Sequence, residues 1–337
     1  MSRSTAFLLP PGAALHDTGW GHAEHQGRLR ALSSSVGRDL LALHGRVEVE
    51  HLDPRFSDDV VEAALRRVHT AAHIELIRAS VAQAAAEQSP IRIEADTLVS
   101  EASWEAATDS IKAALTAVAL VADGTRRNAF VATRPPGHHA TPDQPMGFCL
   151  FNTVAVAARW LQDQGLARRV LIVDWDVHHG NGTQDVFYED ADVLFLSLHR
   201  HPLYPGTGMA DEVGAGAGQG TTRNVPLPAD TSRAAYLEQF EAVLDEVLEV
   251  FTPDFTLVSA GYDALAGDPV GGLALEPSDF HRLTEILLAS LGGADARLVA
   301  CLEGGYDPKR TGLACVATLR ALAGVAQADP TLPAELG

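Results

Sequence analysis

Short apolar runs alternate with longer alanine-rich stretches along most of the chain. The apolar runs are rich in Val, Ile, Leu and Phe, and two of the longer stretches, which we interpret as helices, are SWEAATDSIKAALTAVALVADG (103–124) and FNTVAVAARWLQDQGLARR (151–169). Apolar runs without polar alternation are typical of strands in a parallel sheet that is covered on both faces. The pattern therefore predicts an α/β protein in which helices pack on both faces of a parallel sheet.

Five of the apolar runs are predicted strands. They are AFVAT (129–133), RVLIVD (169–174), VLFLSL (193–198), FTLVSA (255–260) and RLVACL (297–302). No period of roughly 20 to 50 residues recurs and no Pro- or Ser-rich linker divides the chain, so we predict a single domain over residues 1–337. The tail at 326–337 is expected to pack loosely.

Each predicted strand runs directly into a loop that contains His, Asp, Tyr or Gly. In chain order the loops are RPPGHHA, WDVHHGNG, HRHPLYPGTG, GYDALAGDP and EGGYD. In open parallel sheets, ligands bind beyond the carboxyl ends of the strands. The five loops are therefore expected to converge on a single site.

Charge and cysteine content narrow the class of protein. The chain has 25 Lys and Arg residues against 44 Asp and Glu residues, a formal charge of −19, and no basic run, which disfavours direct binding to nucleic acid. The cysteines, Cys149, Cys301 and Cys315, show no CxxC spacing, so we predict neither a disulfide framework nor a thiolate zinc site, and a reducing cytoplasm fits best. The first apolar run is broken by Pro10 and Pro11, and none reaches about 18 residues, so we expect no signal peptide or membrane span.

The loop after residue 174 contains candidate metal ligands. Asp176 and His178 are two positions apart, so in an extended segment their side chains leave the same side of the backbone. Asp263, just beyond another predicted strand, is the candidate third ligand. One nitrogen and two carboxylate donors suit Zn²⁺ and are also compatible with Fe²⁺, Mn²⁺ or Co²⁺. The alternative is that these are ordinary loop polar residues or helix caps.

Two adjacent histidines, His138 and His139, follow Pro135 and Pro136, which stiffen the approach to them. Facing a metal ion, the pair would supply a general base and a general acid near neutral pH. Asp174 would then orient an imidazole through its ring N–H. Taken alone, two adjacent histidines are ordinary surface residues, and it is the metal loop that favours the catalytic interpretation.

Tyr306 follows two glycines in the turn EGGYD, so its phenol can be brought inward to donate to an oxyanion. The alternative is a tyrosine packed at a domain edge. Phe148 in MGFCLFN could form an apolar wall of a substrate channel or simply belong to the core. We interpret His69 and His73 as a solvated helix face, since no third ligand accompanies them.

A rival cluster of potential ligands lies near the amino terminus. It comprises His16, Asp17, His22, Glu24 and His25. Because this cluster follows no predicted strand, we interpret it as a rim segment.

Six motifs occur in a fixed order along the chain: RPPGHHA, GFCLFN, DWDVHHGNGTQ, SLHRHPLYPGTG, SAGYDALAGDP and LEGGYD. With these motifs, over about residues 16–325, the sequence resembles the histone deacetylase family, and is nearest to its class II and bacterial deacetylase-like amidohydrolase members. The resemblance implies an arginase-like fold, a three-layer α/β/α arrangement with a mostly parallel eight-stranded sheet.

The resemblance also implies a role for each residue of the predicted site. It assigns the zinc ligands to Asp176, His178 and Asp263, the catalytic pair to His138 and His139 with Asp174 behind it, and the polarising phenol to Tyr306. It places the acyl-lysine tunnel at Gly147, Phe148 and Tyr204. It implies a potassium ion bound by Asp174, Ser197 and the main-chain oxygens of Asp176, His178 and Leu198.

The sequence departs from the family pattern at several positions. Asn181, the expected partner of His139, replaces an Asp found in some members, so His139 is expected to titrate lower. Ala23 and Gln26 replace prolines common in the rim loop. Val270 follows GDP, where a glutamate guards the entrance of polyamine-preferring relatives, and this argues against a polyamine substrate.

The leading functional hypothesis is metal-dependent hydrolysis of an N-acyl amide, with acetyl favoured, on the side chain of an acylated lysine in a protein or peptide. In this hypothesis His138 helps the metal-bound water to attack and His139 protonates the departing amine. A second hypothesis is deacetylation of an acetylpolyamine or another small acylated amine. An arginase-like ureohydrolase with two manganese ions would need a denser carboxylate cluster than Asp263 and Asp268 provide. A non-catalytic acyl-lysine binding module is a further alternative, and the oligomeric state is left open, with a homo-oligomer among the options.

Overall fold

The computed structural model describes residues 3–293 and 296–327. Its main element is an eight-stranded sheet whose strands lie between Thr5 and Leu302. The strands are β1 (Thr5–Leu8), β2 (Val47–Glu50), β3 (Ile91–Arg92), β4 (Leu98–Val99), β5 (Ala129–Val131), β6 (Val170–Asp174), β7 (Val193–Arg200), β8 (Thr222–Leu227), β9 (Phe255–Ala260) and β10 (Leu298–Leu302). The sheet order is β2-β1-β5-β10-β9-β6-β7-β8, and every neighbouring pair is parallel. The short strands β3 and β4 form a separate antiparallel pair.

Ten α-helices connect or cover these strands in the ranges that the structure describes. They are α1 (Gly27–Arg38), α2 (Leu40–Leu43), α3 (Asp58–Leu65), α4 (Ala71–Glu87), α5 (Ser103–Ala122), α6 (Thr153–Asp163), α7 (Asn181–Phe187), α8 (Arg233–Val250), α9 (Pro277–Ser290) and α10 (Pro308–Leu322). Two 3-10 helices span Pro11–Leu15 and Gly216–Gly218. Within the described residues, none of the helices has both the length and the apolar character needed to cross a membrane.

Two hydrophobic cores lie on opposite faces of the sheet. In β6, Leu171 and Val173 enter the core formed with α1, α8, α9 and α10, whereas Val170 and Ile172 enter the core formed with α5 and α6. Successive side chains of a strand point to opposite faces, so a strand covered on both sides is apolar at every position. The predicted parallel sheet between two helical layers is confirmed.

The five strands predicted from apolar runs are all present, with ends within two residues of the predicted ones. They occupy five neighbouring positions of the sheet, from β5 to β7. The other three were not predicted from the pattern. Of these, β2 and β8 are edge strands and have exposed positions, so they are not continuous apolar runs. The strand β1 is the short apolar run before Pro10, and it is the first strand of the sheet in the chain. Most of the predicted loose tail, residues 328–337, lies outside the described residues.

The interpretation of His69 and His73 as a solvated face is wrong, because both are buried. His69 accepts a hydrogen bond from the N–H of Asn152 (2.9 Å) and donates through Nδ1 to the carbonyl of Thr141 (3.0 Å). His73 lies 2.8 Å from the carbonyl of Leu150. Spacing of four residues shows that two side chains share a helix face, but it does not show whether that face is exposed. The two imidazoles support the chain just before α6.

The interpretation of the amino-terminal cluster as a rim segment is wrong for His16 and Glu24, which are buried. The carboxylate of Glu24 pairs with Arg28 (2.9 Å) and Arg134 (2.7 Å). Burial alone would raise the pKa of Glu24, but the two guanidinium groups outweigh it and lower the pKa to about 2. Arg28 also donates to the carbonyl of Gly305 (2.6 Å), so this segment is tied to the loop after β10.

Candidate active site

The loops after five neighbouring strands meet at the carboxyl edge of the sheet. In sheet order these strands are β5, β10, β9, β6 and β7, although β5 and β6 are consecutive in the chain. The insertion of β10 and β9 between β5 and β6 brings the loops RPPGHHA, EGGYD, GYDALAGDP and WDVHHGNG side by side. The predicted convergence of these loops is therefore present in the fold.

Asp176, His178 and Asp263 come together in a buried cluster. Their potential ligand atoms all lie within 4.8 Å of one another. The Nδ1 atom of His178 is 3.0 Å from Asp176 Oδ1 and 3.1 Å from Asp263 Oδ2. Asp263 Oδ2 is buried and makes no hydrogen bond of acceptable geometry to the part of the chain that the structure describes. Apart from the close approach of His178 Nδ1, this buried oxygen has no donor in the described residues, so it is available to coordinate an ion.

The main chain fixes both carboxylates. Asp176 accepts hydrogen bonds from the N–H of His178 through Oδ1 (2.9 Å) and from the N–H of Gly304 through Oδ2 (2.8 Å). Asp263 Oδ1 accepts from the N–H of Val177 (2.9 Å), which leaves Oδ2 directed at the cluster. The two aspartates are therefore oriented before any ligand binds.

Two glycines leave the space that these carboxylates occupy. A Cβ atom on Gly261 would overlap the carboxylate of Asp176, and a Cβ atom on Gly304 would overlap those of both Asp263 and Asp176. The loops after β9 and β10 can approach the cluster this closely only because these positions carry no side chain.

The charge of the cluster favours a cation. Burial and the neighbouring Asp176 raise the pKa of Asp263 to about 7. Burial alone would lower the pKa of His178, but the two carboxylates outweigh it and raise the pKa to about 10. Ligands about 2.0 Å from a tetrahedral zinc ion are roughly 3.3 Å apart, close to the observed separations. The residues thus fit a divalent metal ion, and one nitrogen with two oxygens suits Zn²⁺, Fe²⁺, Mn²⁺ or Co²⁺.

His138 and His139 lie beside the cluster with their ring centroids 4.0 Å apart. The Nδ1 atom of His138 is 2.9 Å from Asp174 Oδ2, and its Nε2 atom faces Asp176 Oδ1 at 3.8 Å. The Nδ1 atom of His139 is 2.8 Å from Asn181 Oδ1. One imidazole therefore has a carboxylate partner and the other has a neutral amide.

The two histidines differ in pKa because their hydrogen-bond partners and neighbours differ. Burial lowers the pKa of both, and for His138 the carboxylates of Asp174 and Asp176 outweigh this effect and raise the pKa well above its ordinary value. The pKa of His139 stays well below its ordinary value, because burial is reinforced by His138 and by the imidazole of His178. A neutral His139 and a protonated His138 are thus favoured.

Tyr306 is buried next to this group, not packed at a domain edge. Its main-chain N–H donates to Asp268 Oδ2 (2.7 Å), and its ring lies 4.8 Å from the guanidinium of Arg28 and edge-on to Phe148 at 5.6 Å. Burial is the largest effect on the phenol and keeps its pKa well above the usual value, against the opposing effect of Arg28. The phenol is therefore a neutral hydrogen-bond donor.

Asp268 is used by the main chain and does not extend the metal cluster. Its second carboxylate oxygen accepts hydrogen bonds from the N–H groups of Val270 (2.9 Å) and Gly271 (3.1 Å). The carboxylate thus joins the loop after β9 to the turn that carries Tyr306. The dense second carboxylate set that two manganese ions would need is not provided by Asp268.

The predicted tunnel residues surround the approach to the site. Tyr204 lies edge-on to His139, with ring centroids 5.1 Å apart, and Phe148 lies on the side of Tyr306. Gly147 has a φ of +54°, and a Cβ atom there would lie 2.5 Å from His139 and 2.9 Å from Tyr204. The glycine thus lets the chain pass close to His139 and Tyr204, because any side chain here would collide with both rings.

The residues expected to bind potassium lie beneath the histidine pair. Asp174 is opposite Ser197 on the neighbouring strands β6 and β7, and both are buried. Asp174 Oδ1 accepts from the N–H of Asp176 (3.0 Å), and the Ser197 hydroxyl is 2.9 Å from His199 Nδ1.

Sequence reasoning did not single out Glu303, which lies at the centre of the converging loops. Its carboxylate accepts hydrogen bonds from the N–H groups of Gly137 (2.6 Å) and His138 (3.2 Å). The sequence signal that could have identified Glu303 is a carboxylate at the end of an apolar strand, as at Asp174. Glu303 also lies close to His138 and Cys149, but burial raises the pKa of the Cys149 thiol well above its usual range, which disfavours a thiolate ligand there.

A model of the histone deacetylase domain matches residues 22–322, which is most of the chain and contains every residue of the site described above. The chain belongs to the histone deacetylase family. Histone deacetylase 10, chloroplastic, of Oryza sativa subsp. japonica is 38% identical in a match that covers 99% of this chain and 76% of the rice protein. Histone deacetylase 15 of Arabidopsis thaliana is 38% identical over 314 residues, which cover 90% of this chain and 53% of that protein.

A solved structure extends this relationship to three dimensions. The crystal structure of the HDA15 HD domain matches with a TM-score of 0.87 and 34% identity, over 98% of this chain and 91% of that one. This histone deacetylase family member therefore has the arginase-like fold that the sequence resemblance implied. The chain spans only about half of the Arabidopsis relative, so the activity and substrates of that whole protein are proposals for this chain.

Proposed function

We propose that this histone deacetylase family member is a metal-dependent hydrolase that removes an acyl group, with acetyl favoured, from the amine of an acylated lysine side chain. The observation that carries the proposal is the buried cluster of Asp176, His178 and Asp263. Its potential ligand atoms are close enough together to bind a single ion, and they lie beside the histidine pair. Family membership supports the same reaction class.

Asp176, His178 and Asp263 would hold the ion, for which we propose Zn²⁺. When bound, such an ion supplies a Lewis acid for the amide carbonyl and lowers the pKa of water. Asp174, Ser197 and the main-chain oxygens of the 176–178 loop and Leu198 would hold a potassium ion that stabilises the same loop.

The protein side chains then complete the reaction. The Tyr306 phenol donates a hydrogen bond to the oxygen on which negative charge develops. The two imidazoles take a proton from the attacking water and return one to the departing amine. The sequence-based hypothesis gave the first step to His138. The carboxylate partner of His138 and the neutral partner of His139 instead favour His139 as the base.

The Asn181→Asp variant is expected to distinguish these roles. A carboxylate next to His139 should raise its pKa by about one unit or more. If His139 must be neutral to accept the proton, the acidic limb of the kcat/KM profile moves to higher pH by that amount. A shift confined to the alkaline limb would instead indicate that His139 is the general acid and that His138 is the base. The control is Asn181→Ala, which removes the partner without adding charge and should lower kcat without the upward shift.

A second candidate substrate class is a small acylated amine that carries further positive charge. After burial, the charges of Asp96 and Glu94 help to raise the pKa of Tyr204, and the main-chain carbonyl of Asp96 lies 3.1 Å from His22, which packs against Phe148. Two carboxylates beside the tunnel wall would attract a cationic extension of the substrate.

The test is a metal-reconstituted assay of the purified protein with acetyl-lysine peptides and acetylspermidine. We expect turnover of a peptide that is abolished by a chelator, restored by Zn²⁺ and lost in His139→Ala. A larger kcat/KM for acetylspermidine would favour the second candidate. Tight binding without turnover would contradict the hydrolase and favour a binding module, and two transition-metal ions per chain would favour a ureohydrolase.

A further inference from the structure

Glu303 is a buried carboxylate held almost entirely by uncharged donors. Its Oε2 atom accepts from the N–H of Gly137 at 2.6 Å and from that of His138 at 3.2 Å. Its Oε1 atom accepts from the hydroxyl of Ser259 at 3.1 Å. Across residues 3–293 and 296–327, no Arg or Lys side chain hydrogen-bonds to this carboxylate, since Arg28 reaches only the Glu303 main-chain carbonyl.

Burial raises the pKa of Glu303 to about 7 against the opposing effect of the nearby His138, so burying this carboxylate without an Arg or Lys partner is costly. A core built only for stability would favour an apolar side chain at this position. The hydrogen bonds of Glu303 therefore need a reason other than packing. Two of its three donors belong to the segment that presents the catalytic histidines.

The carbonyl groups of the 137–139 segment accept hydrogen bonds from Ala140, Thr183 and Asn181, whereas the N–H groups of residues 137 and 138 are held by Glu303. A Cβ atom on Gly137 would lie 2.8 Å from the carbonyl oxygen of Phe151 and 2.8 Å from the nitrogen of Thr153, so this glycine presses against the start of α6. Glu303 accepts the hydrogen bonds of the Gly137 and His138 N–H groups from the loop after β10. The segment is thus clamped between α6 and the end of β10.

We propose that Glu303 is a positioning residue for the histidine pair. Asp174 fixes the His138 imidazole through Nδ1, whereas Glu303 fixes the peptide groups that carry it. Two points of attachment define both the place and the direction of the ring, which one hydrogen bond to a rotatable side chain cannot do. The inference rests on the proposed function, because it assigns Glu303 to the placement of the groups that move protons.

The experiment compares Glu303→Ala, Glu303→Gln and Glu303→Asp in the metal-loaded full chain. Readouts are hydrogen exchange at the amides of residues 137 and 138, kcat and KM for an acetyl-lysine peptide, metal content and thermal midpoint. Glu303→Ala should speed exchange at both amides and lower kcat by about 10- to 100-fold, with KM changed less than about twofold, because small displacements of catalytic groups have effects of this size. Glu303→Gln keeps an acceptor oxygen at the same reach and should restore kcat to within about threefold of wild type.

Glu303→Asp keeps the charge but is shorter by one methylene, so it should resemble Glu303→Ala, and it carries the test if the alanine variant does not fold. The matched control, Ser259→Ala, removes the Oε1 hydrogen bond alone and should leave exchange at residues 137 and 138 unchanged. A folded Glu303→Ala with wild-type exchange and kcat would overturn the proposal, as would a glutamine variant no better than alanine. An inactive wild type would contradict the proposed function instead, whereas the exchange comparison needs no turnover.

Discussion

Tyr306→Phe is expected to lower kcat by about 10²–10³-fold while metal content and thermal midpoint stay close to those of wild type. The phenol is buried with a pKa well above its usual value, so in the proposed mechanism it would be a neutral donor toward the developing oxyanion. Phenylalanine keeps the ring contacts with Arg28 and Phe148 and removes only the hydroxyl. The loss should therefore appear in turnover, with KM for an acetyl-lysine peptide changed much less.

The matched control is Tyr262→Phe. Tyr262 is also buried, and its hydroxyl donates to Thr318 at 3.0 Å within the core. Losing that hydrogen bond should cost about 1 kcal/mol of stability and little activity. Near-normal turnover of Tyr306→Phe, or an equal loss in both variants, would show that the Tyr306 phenol has no special part in the reaction.

Asp263→Asn is expected to release most of the metal and to lower kcat by at least about 10³-fold, because a bound ion supplies several kcal/mol of transition-state stabilisation. An amide oxygen is a weaker ligand than a carboxylate. The asparagine can still accept the N–H of Val177, as Asp263 Oδ1 does at 2.9 Å, so the fold should be retained. Metal per chain and kcat are measured with and without excess Zn²⁺.

Asp254→Asn serves as the control for the loss of one aspartate. Asp254 accepts hydrogen bonds from the N–H groups of Arg168 (3.0 Å) and Arg169 (2.8 Å) just before β9 and β6, at the opposite edge of the sheet. This variant should bind metal and turn over substrate as wild type does. Full metal occupancy and activity in Asp263→Asn would remove the basis of the hydrolase proposal.

The middle of the sheet was predictable because its strands are buried on both faces. Strands such as β6 and β9 are apolar at almost every position, and their loops contain the polar residues of the site. Parallel strands place those loops at one edge of the sheet, and this is why Asp176, His178 and Asp263 could be predicted to lie near one another. The sheet order did not follow, because nothing local indicates that β9 and β10 enter between β5 and β6.

The remaining errors share one physical cause. Local patterns report the period of a segment, whereas the burial of His69, His73 and Glu24 depends on contacts with distant parts of the chain. Glu24 is paired with Arg134, 110 positions away, and Glu303 binds Gly137, 166 positions away. A buried charged residue whose partner is far away in the sequence is easily taken for a surface residue, because only that partner offsets the free-energy cost of its burial.

The place of β1 inside the sheet sets a limit on how far the chain can be shortened. A recombinant fragment starting at residue 22, where the family match begins, would retain every residue of the site but lack the strand between β2 and β5. Without β1, the edge of β5 that faces away from β10 would be left without a hydrogen-bonded partner strand. Unpaired strand edges promote aggregation. Expression designs for this enzyme should therefore start at or before Thr5.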